Sequence, residues 1–442
     1  MKFKDSQIEE CRQLRSIRYV GLFGSSDHRI DLEESEPTIL TGANGAGKST
    51  LLRLVQAVAS GDLGKLAAAP VDEFELSFNV GPDFYMVKTP EKVTLSWGEY
   101  TSEIPIGKSD LHLPEWAEAA LRELDNDIPM FLQNMSEIAR ARNISFREVM
   151  PIRNRLRREE DLFANSDDAE WLELFRATFP VLFITDQRLI SQREAAGTAE
   201  NGLESRRAVI QASNSIAKLI KDSDTDYARS AQVADRKLAA SLVSRLGPKS
   251  RDVTAHEIAS LSEKVDQRRS ILRNIGLLDE SDAIDVGVAD QELATEPLRK
   301  VIQVILESTL QKLEALDELE GRLTAFKEFL DRKLFPKRLE LDRKAGMRFA
   351  LNDESTLRPE QLSSGEQQIV VLAYDILFKA SASTLVIIDE PEISLHVSWQ
   401  DSLVEDLGRM GRVSSVQFLI ATHSPMILAG NPFLERPLPG RK

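Results

Sequence analysis

Over roughly the first hundred residues, short apolar and β-branched runs alternate with turns. The runs are Ile17 to Phe23, Phe74 to Val80, Phe84 to Lys88 and Val93 to Trp97, punctuated by Gly81-Pro82, Thr89-Pro90 and Gly98. Such punctuation predicts antiparallel strands. From Pro114 to Phe179 apolar positions recur at helical spacing between charged residues. Val181-Leu182-Phe183-Ile184-Thr185 then reads as a buried strand leading into Asp186-Gln187-Arg188.

Between about 200 and 335 strand character disappears. Ile216, Leu219 and Ile220, then Leu238, Leu242 and Leu246, then Ile258, Leu261 and Val265, then Val301, Val304 and Ile305, with Leu313, Leu316, Leu319 and Leu323, repeat at helical spacing. Gly247-Pro248, Pro297 and Pro336 are expected breaks. A hairpin with legs of about 40 residues would reach roughly 60 Å at about 1.5 Å per residue. Heptad regularity is poor, so a short arm and a compact helical subdomain both fit. Strand character returns at Met347 to Leu351 and again at Thr384 to Ile388 and Val416 to Ala421. Helices are expected from Glu366 to Lys379 and after His396. Alternating apolar strands and helices predict an α/β fold with a parallel sheet covered on both faces.

Two stretches far apart in the chain carry the chemistry. Gly42-Ala43-Asn44-Gly45-Ala46-Gly47-Lys48-Ser49 matches G-x-x-x-x-G-K-[ST] between an apolar strand, Thr38-Ile39-Leu40, and a helix, Thr50 to Ala59. Glycines let backbone amides converge on phosphate oxygens, Lys48 reaches the β- and γ-phosphates, and Ser49 ligates Mg²⁺. The expected ATP contacts are Gly42, Asn44, Gly45, Gly47, Lys48, Ser49 and Thr50. Far downstream, Leu362-Ser363-Ser364-Gly365-Glu366-Gln367 puts small hydroxyl residues and a glycine at a helix start, which suits an anion. Ser363 and Glu366 also form a capping-box pattern, and both readings coexist.

Leu385 to Ile388 is an apolar strand running into Asp389 and Glu390. Strand ends at the carboxyl edge of an α/β sheet are where ligands sit. Asp389 is expected to hold Mg²⁺ through water and Glu390 to polarise the attacking water. His423, in Thr422-His423-Ser424, also follows a buried strand, so its imidazole emerges at the same edge, positioned to bond the γ-phosphate. Gln187 is a candidate bridge from Mg²⁺ and water to the helical insertion, although Asp186 and Arg188 could instead form a turn network with it.

Composition narrows the class. The chain has 442 residues, 42% of them hydrophobic, with a formal charge of −15. No run approaches the roughly 18 apolar residues of a membrane span, and the start, Met1 to Gln7, lacks a signal pattern. A cytoplasmic location is expected, with no membrane partner. The single cysteine, Cys11, excludes an internal disulfide and reads as a small residue without chemistry. The acidic balance opposes wrapping by nucleic acid, so DNA contact must be local. The basic runs Arg153-Asn154-Arg155-Leu156-Arg157-Arg158, and Lys333 with Lys337, Arg338, Arg343 and Lys344, are candidates. Each adjoins acids such as Glu159-Glu160-Asp161 and Glu340, as a solvated face would.

The ordered set of phosphate loop, glutamine, Leu-Ser-x-Gly-Glu-Gln, apolar-Asp-Glu, Pro391-Glu392-Ile393-Ser394-Leu395-His396 and Thr-His-Ser resembles the ABC-type ATPase heads of the SMC and RecF class. The resemblance covers about 1–100 and 345–430. It implies an ABC-type P-loop ATPase head with a mixed or parallel sheet and an antiparallel β-lobe, interrupted by the helical insertion. The expected division is 1–195 for the first part of the head, 196–344 for the insertion and 345–442 for the second part. It also implies a homodimer or higher oligomer, in which Ser363 and Gly365 of one protomer complete the ATP site of the other. Ser394 to His396 would occupy the loop through which the two sites communicate. Serine at 364 departs from the second glycine usual in the signature.

Within that class the short helical insertion, the Leu-Ser-Ser-Gly-Glu-Gln variant and the Glu-Pro-Glu-x-x-Leu-His run look most like stand-alone bacterial antiphage ATPases, first the PtuA family of the Septu system and then the AriA family of the PARIS system. Such proteins act with a separately encoded effector, an HNH nuclease for the Septu class. Neither an appended Toprim nuclease nor a two-cysteine zinc hook is evident. The expected function is an ATP-hydrolysing regulator of an effector nuclease. The alternatives are a RecF-like clamp acting directly on DNA, a transporter ATPase subunit, which the large insertion does not suit, and ATP held only as structural glue.

Overall fold

Hydrophobic positions on both faces of three short strands, Thr38–Thr41, Leu385–Asp389 and Gln417–Ala421, build a buried parallel sheet. The computed structural model describes residues 12–24, 26–105, 168–184, 200–247, 251–278, 295–353, 355–393 and 397–439. Its residues divide into two units, Met1–Arg188 with Ala380–Lys442, and Leu189–Lys379.

In the first unit, β1 (Leu14–Leu22), β2 (Ser26–Asp31), β4 (Glu73–Phe78), β5 (Phe84–Lys88), β6 (Lys92–Trp97) and β7 (Tyr100–Pro105) form an antiparallel sheet in the order β2-β1-β4-β5-β6-β7. Burial alternates along β6, where Val93, Leu95 and Trp97 face the core, as the two-residue period of a half-covered strand requires. Trp97 meets Trp171 and Phe175 of α3 (Asp168–Thr178), and Arg12 lies over its ring.

The second sheet of this unit is parallel throughout, in the order β14-β3-β13-β12-β8. Its members are β3 (Thr38–Thr41), β8 (Val181–Ile184), β12 (Leu385–Asp389), β13 (Gln417–Ala421) and β14 (Glu435–Pro437). Every residue of β3, β12 and β13 is buried, as expected of parallel strands covered on both faces. A buried amide joins the two sheets. Gln417 at the start of β13 accepts from the Leu14 amide at 3.1 Å and donates to the Leu14 and Glu33 carbonyls at 2.8 and 2.9 Å.

The second unit is mainly helical. Its longest element, α4 (Glu200–Leu246), has 47 residues, about 70 Å at 1.5 Å per residue. The helices α5 (Ala255–Asn274), α6 (Glu296–Leu313) and α7 (Asp317–Lys333) follow. Among the described residues the insertion thus shows one long helix and three shorter ones rather than two equal legs. Gly247 follows α4, Pro297 lies in the first turn of α6 and Pro336 follows α7, where the breaks were expected. A three-stranded antiparallel sheet, β9 (Arg338–Asp342), β10 (Gly346–Ala350) and β11 (Thr356–Leu357), packs against α4 through β10. The signature motif opens α8 (Ser364–Tyr374), which passes into a π-turn over Asp375–Lys379. The helix expected after His396 is two pieces, α9 (Val397–Gln400) and α10 (Leu403–Ser414).

Of the helical stretch expected from Pro114 onward, only α3 lies within the described residues. Cys11, the basic run Arg153–Arg158, Gln187 with Asp186 and Arg188, and Ser394, Leu395 and His396 lie outside them. No helix of the described residues is long and apolar enough to cross a membrane.

Candidate nucleotide-binding site

The glycine loop joins β3 to α1 (Lys48–Ser60), which is followed by the short α2 (Leu63–Ala68). Gly42, Gly45 and Gly47 have φ of 148°, 79° and 100°, a region open mainly to glycine. At Gly47 a Cβ would also lie 2.8 Å from Leu22 Cδ2, so a larger residue would have to displace that side chain as well as adopt the strained φ. Asn44 and Gly45 are exposed at the loop tip, and Thr50 is partly buried in the first turn of α1. Gly47 caps the helix without any side-chain hydrogen bond. The first-turn amides, which have no partner within a helix, are thus left to a ligand, and the positive end of the helix dipole favours an anion. This fits a phosphate.

Parallel pairing brings the other residues to the same edge. Asp389 lies opposite Ala421 in register, and Ala421 opposite Leu40. The strand ends then place Asp389, Glu390 and His423 beside the loop that leaves β3. Lys48, only 5% exposed, donates to the Gly42 carbonyl at 3.0 Å and to His423 Nε2 at 2.6 Å. A charged ammonium only donates, so with Lys48 protonated Nε2 is the acceptor of this bond. Glu390 Oε1 lies 3.9 Å from the same nitrogen. Burial pushes the Lys48 pKa below its ordinary 10.5, opposed by the charges of Glu390, Asp389 and Glu392.

Ser49 Oγ donates to Asp389 Oδ1 at 3.2 Å. No cluster of three or more His, Cys, Asp or Glu able to hold a metal is found among the described residues. One hydroxyl and one carboxylate suit Mg²⁺, which takes few protein ligands and fills its octahedron with phosphate oxygens and water.

Glu390 has φ of 50°, a left-handed conformation that costs a non-glycine residue about 1–2 kcal/mol. Two backbone bonds hold it there, from its amide to the Ala421 carbonyl at 2.9 Å and from the Ile393 amide to its own carbonyl at 3.2 Å. Nothing in a linear pattern announces this turn. Sequence reasoning also gave no role to Glu392, whose carboxylate accepts from Thr422 Oγ1 at 2.8 Å and from the His423 amide at 2.6 Å. The available signal was an acid two residues beyond the strand-end pair. A third omission is the edge strand β14, where Glu435 accepts from Thr41 Oγ1 at 2.6 Å just before the loop.

In the second unit, Ser363 and Ser364 are exposed and Gly365 is partly buried at the start of α8. Ser363 Oγ donates to Glu366 Oε2 at 2.9 Å and accepts from the Glu366 amide at 3.4 Å, while the Ser363 amide donates to the same carboxylate at 2.9 Å. The capping box is therefore formed. Two cations of the nearby basic run are used internally. Lys337 pairs with Glu366 at 2.5 Å, and Arg343 bonds the Gly276 and Leu277 carbonyls and Asp224.

Phosphate loop, buried lysine and paired strand-end acids on a parallel sheet define a P-loop ATPase, an ATP-binding protein. Residues 132–429, about two thirds of the chain, match the family described as "AAA domain, putative AbiEii toxin, Type IV TA system", and the chain belongs to that family. It is similar to the lipoprotein-releasing system ATP-binding protein LolD of Paramagnetospirillum magneticum, at 37% identity over 82 residues, 19% of this chain and 35% of LolD. The chain thus spans about a third of that relative's length. Among solved structures it is similar to the Smc head domain with an extended coiled coil bound to the C-terminal domain of ScpA from Pyrococcus furiosus. There identity is 13%, coverage 95% of this chain and 91% of that one, and the TM-score 0.35. The SMC head domain from Thermotoga maritima gives 11% identity, 94% and 91% coverage and a TM-score of 0.34. Likenesses this loose carry no functional weight.

Proposed function

We propose that this chain is an ATP-hydrolysing, Mg²⁺-dependent subunit of a cytoplasmic antiphage defence complex. In this reading it oligomerises through shared ATP sites and regulates a separately encoded effector nuclease, of HNH type if the Septu resemblance holds. The observation that supports the ATPase half is the convergence of Lys48, Ser49, Asp389, Glu390 and His423 from three parallel strand ends. The defence half rests on the signature and Glu-Pro-Glu-x-x-Leu-His runs, and a family described by a toxin of a toxin–antitoxin system is in keeping with a partnered effector.

Each residue then has a task. Lys48 and the amides of Gly45, Gly47 and Ser49 hold the phosphates, with Gly42, Asn44 and Thr50 shaping the loop. Ser49 and, through water, Asp389 would hold Mg²⁺, with Gln187 as a further ligand, and the ion would neutralise charge on the transferred group. Glu390 takes the proton of the attacking water as its oxygen bonds the γ-phosphorus and the bond to the β-phosphate oxygen breaks, giving ADP and phosphate. His423 bonds the γ-phosphate. Ser363 and Gly365, at an exposed helix start, complete the site of a second protomer.

Glu390→Gln tests the assignment. The variant should bind ATP as wild type does, accumulate the closed assembly and turn over about 10²–10⁴-fold more slowly. Wild-type turnover would remove Glu390 from the mechanism. Affinity purification from native cells tests the partner, since an effector nuclease should co-purify with ATP-dependent occupancy. Recovery of the chain alone on DNA would favour a repair clamp. Internal use of Lys337 and Arg343 weighs against that alternative.

A further inference from the structure

The strand ladder holds the backbone beside His423 only as far as the preceding residue. Ala421 pairs with both Leu40 and Asp389, and the Thr422 amide still reaches the Leu40 carbonyl at 3.2 Å. The His423 amide is the first beyond the ladder, and its partner is a side chain, Glu392 Oε1 at 2.6 Å. The other oxygen of the same carboxylate accepts from Thr422 Oγ1 at 2.8 Å. Both bonds are charge-assisted, the strong kind, and Thr422 is fully buried.

The clamp closes into a ring. Ser424 donates its amide to Thr422 Oγ1 at 3.0 Å and its hydroxyl to Gln400 Oε1 at 2.8 Å, and Gln400 Nε2 returns to the Glu392 carbonyl at 3.3 Å. Glu392 shares a turn with Glu390, closed by the bond from the Ile393 amide to the Glu390 carbonyl. One carboxylate therefore ties the backbone carrying His423 to the turn carrying Glu390, whose side chains stand 3.9 Å apart.

We propose that Glu392 is a positioning residue, which holds the His423 imidazole in register with Lys48 and Glu390 by clamping the Thr422–His423 backbone. This rests on the ATPase reading above for its kinetic consequence but not for its geometry. Catalytic geometry tolerates little drift, since a misplacement of about 1 Å can cost about 10²-fold in rate.

The test uses the full chain and four variants, Glu392→Ala, Glu392→Gln, His423→Ala and the double variant Glu392→Ala/His423→Ala. Glu392→Ala should lower kcat by about 10–100-fold, as loss of an orienting partner typically does, with the KM for ATP changed by less than about threefold. Glu392→Gln keeps a carbonyl acceptor for the His423 amide, and Thr422 can turn its hydroxyl to accept, so most of the rate should be restored. In the His423→Ala background, removing Glu392 should cost nothing further, because Glu392 acts through His423. An equal loss in both backgrounds, or a Gln variant as impaired as Ala, would overturn the proposal.

A second readout stands apart from turnover. With ¹⁵N-histidine labelling of the chain's five histidines, the ring signals lost in His423→Ala identify that imidazole. Glu392→Ala should shift and broaden them as the ring loses its fixed position, and Glu392→Gln should not. Unchanged signals in Glu392→Ala would refute the clamp. If the wild-type chain hydrolyses no ATP, the ATPase reading fails by itself and the ring spectra still decide the role of Glu392.

Discussion

Lys48 and His423, 375 positions apart in the chain, meet at 2.6 Å at the carboxyl edge of the parallel sheet. The lysine is buried beside the His423 imidazole and the Gly42 carbonyl, and burial lowers its pKa below 10.5. Phosphate charges stabilise the ammonium, so binding should take up a proton at alkaline pH. ATP affinity is expected to fall as pH rises through the lowered pKa, before 10.5 is reached. In the same window the unfolded chain holds more protons than the folded one, so stability without nucleotide should rise with pH. Lys48→Met should remove the alkaline limb and weaken binding by about 1.5–3 kcal/mol, about 10–150-fold in Kd. Calorimetric titration across alkaline pH decides it, and a flat profile for wild type would count against the lysine's role.

Ser49 and Asp389 are the second pair drawn together, at 3.2 Å. If they share Mg²⁺, Asp389→Asn and Ser49→Ala should each raise the Mg²⁺ concentration for half-maximal ATPase by about 10–100-fold. Binding of nucleotide without metal should change little. Equal metal requirements in wild type and both variants would exclude the pair as ligands.

Much of this was legible because burial on two faces leaves a plain signature. Thr38–Thr41, Leu385–Asp389 and Gln417–Ala421 are apolar runs ending in polar chemistry, and all three are central strands of the parallel sheet. The unforeseen strands are edges. β2 and β7 bound the antiparallel sheet, β9 and β11 flank β10, and β14 ends the parallel sheet. Their sequences, such as Ser-Asp-His-Arg-Ile-Asp and Glu-Arg-Pro, carry the charges and proline that edges tolerate and centres do not. β8 is the exception, an edge that stayed apolar and was foreseen. Glu392 and Gln417 were missed for another reason. Each acts on the backbone of a residue distant in sequence, and pairings of that kind leave no periodicity.

Close packing of α4 on β10 makes the second unit sensitive to one methyl group. Gly346 has φ of 73°, and a Cβ there would lie 2.0 Å from the Ser213 carbonyl oxygen. Backbone atoms cannot swing aside, so Gly346→Ala should cost about 3–5 kcal/mol, at the upper end for single substitutions. Ser213→Ala should cost about 1–3 kcal/mol, because its hydroxyl accepts from the buried Met347 amide at 2.9 Å and donates to the Ala345 carbonyl at 3.0 Å. Denaturant titration of the two variants gives the ranking, and a Gly346→Ala penalty below that of Ser213→Ala would contradict the packing.

Glu366 makes the signature helix sensitive to acid. Its burial alone would raise its pKa, yet Lys337 and the amide and hydroxyl of Ser363 outweigh this and hold the carboxyl below the ordinary 4.5. A depressed carboxylate adds stability above its unfolded pKa and loses it as pH falls through the folded value. Near neutrality Glu366→Gln should destabilise the chain by about 1–2 kcal/mol, the scale of bonds to a charged group. The gap should narrow once pH drops below 4.5 and close below the folded pKa, where wild type is protonated as well. Lys337→Met should take away part of the same gap, and the double variant should lose less than the sum of the two, since the pair meets at 2.5 Å. Thermal unfolding of the four proteins from neutral to acid pH measures both effects. A constant gap across that range, or strict additivity, would show that Glu366 supports α8 without its charge.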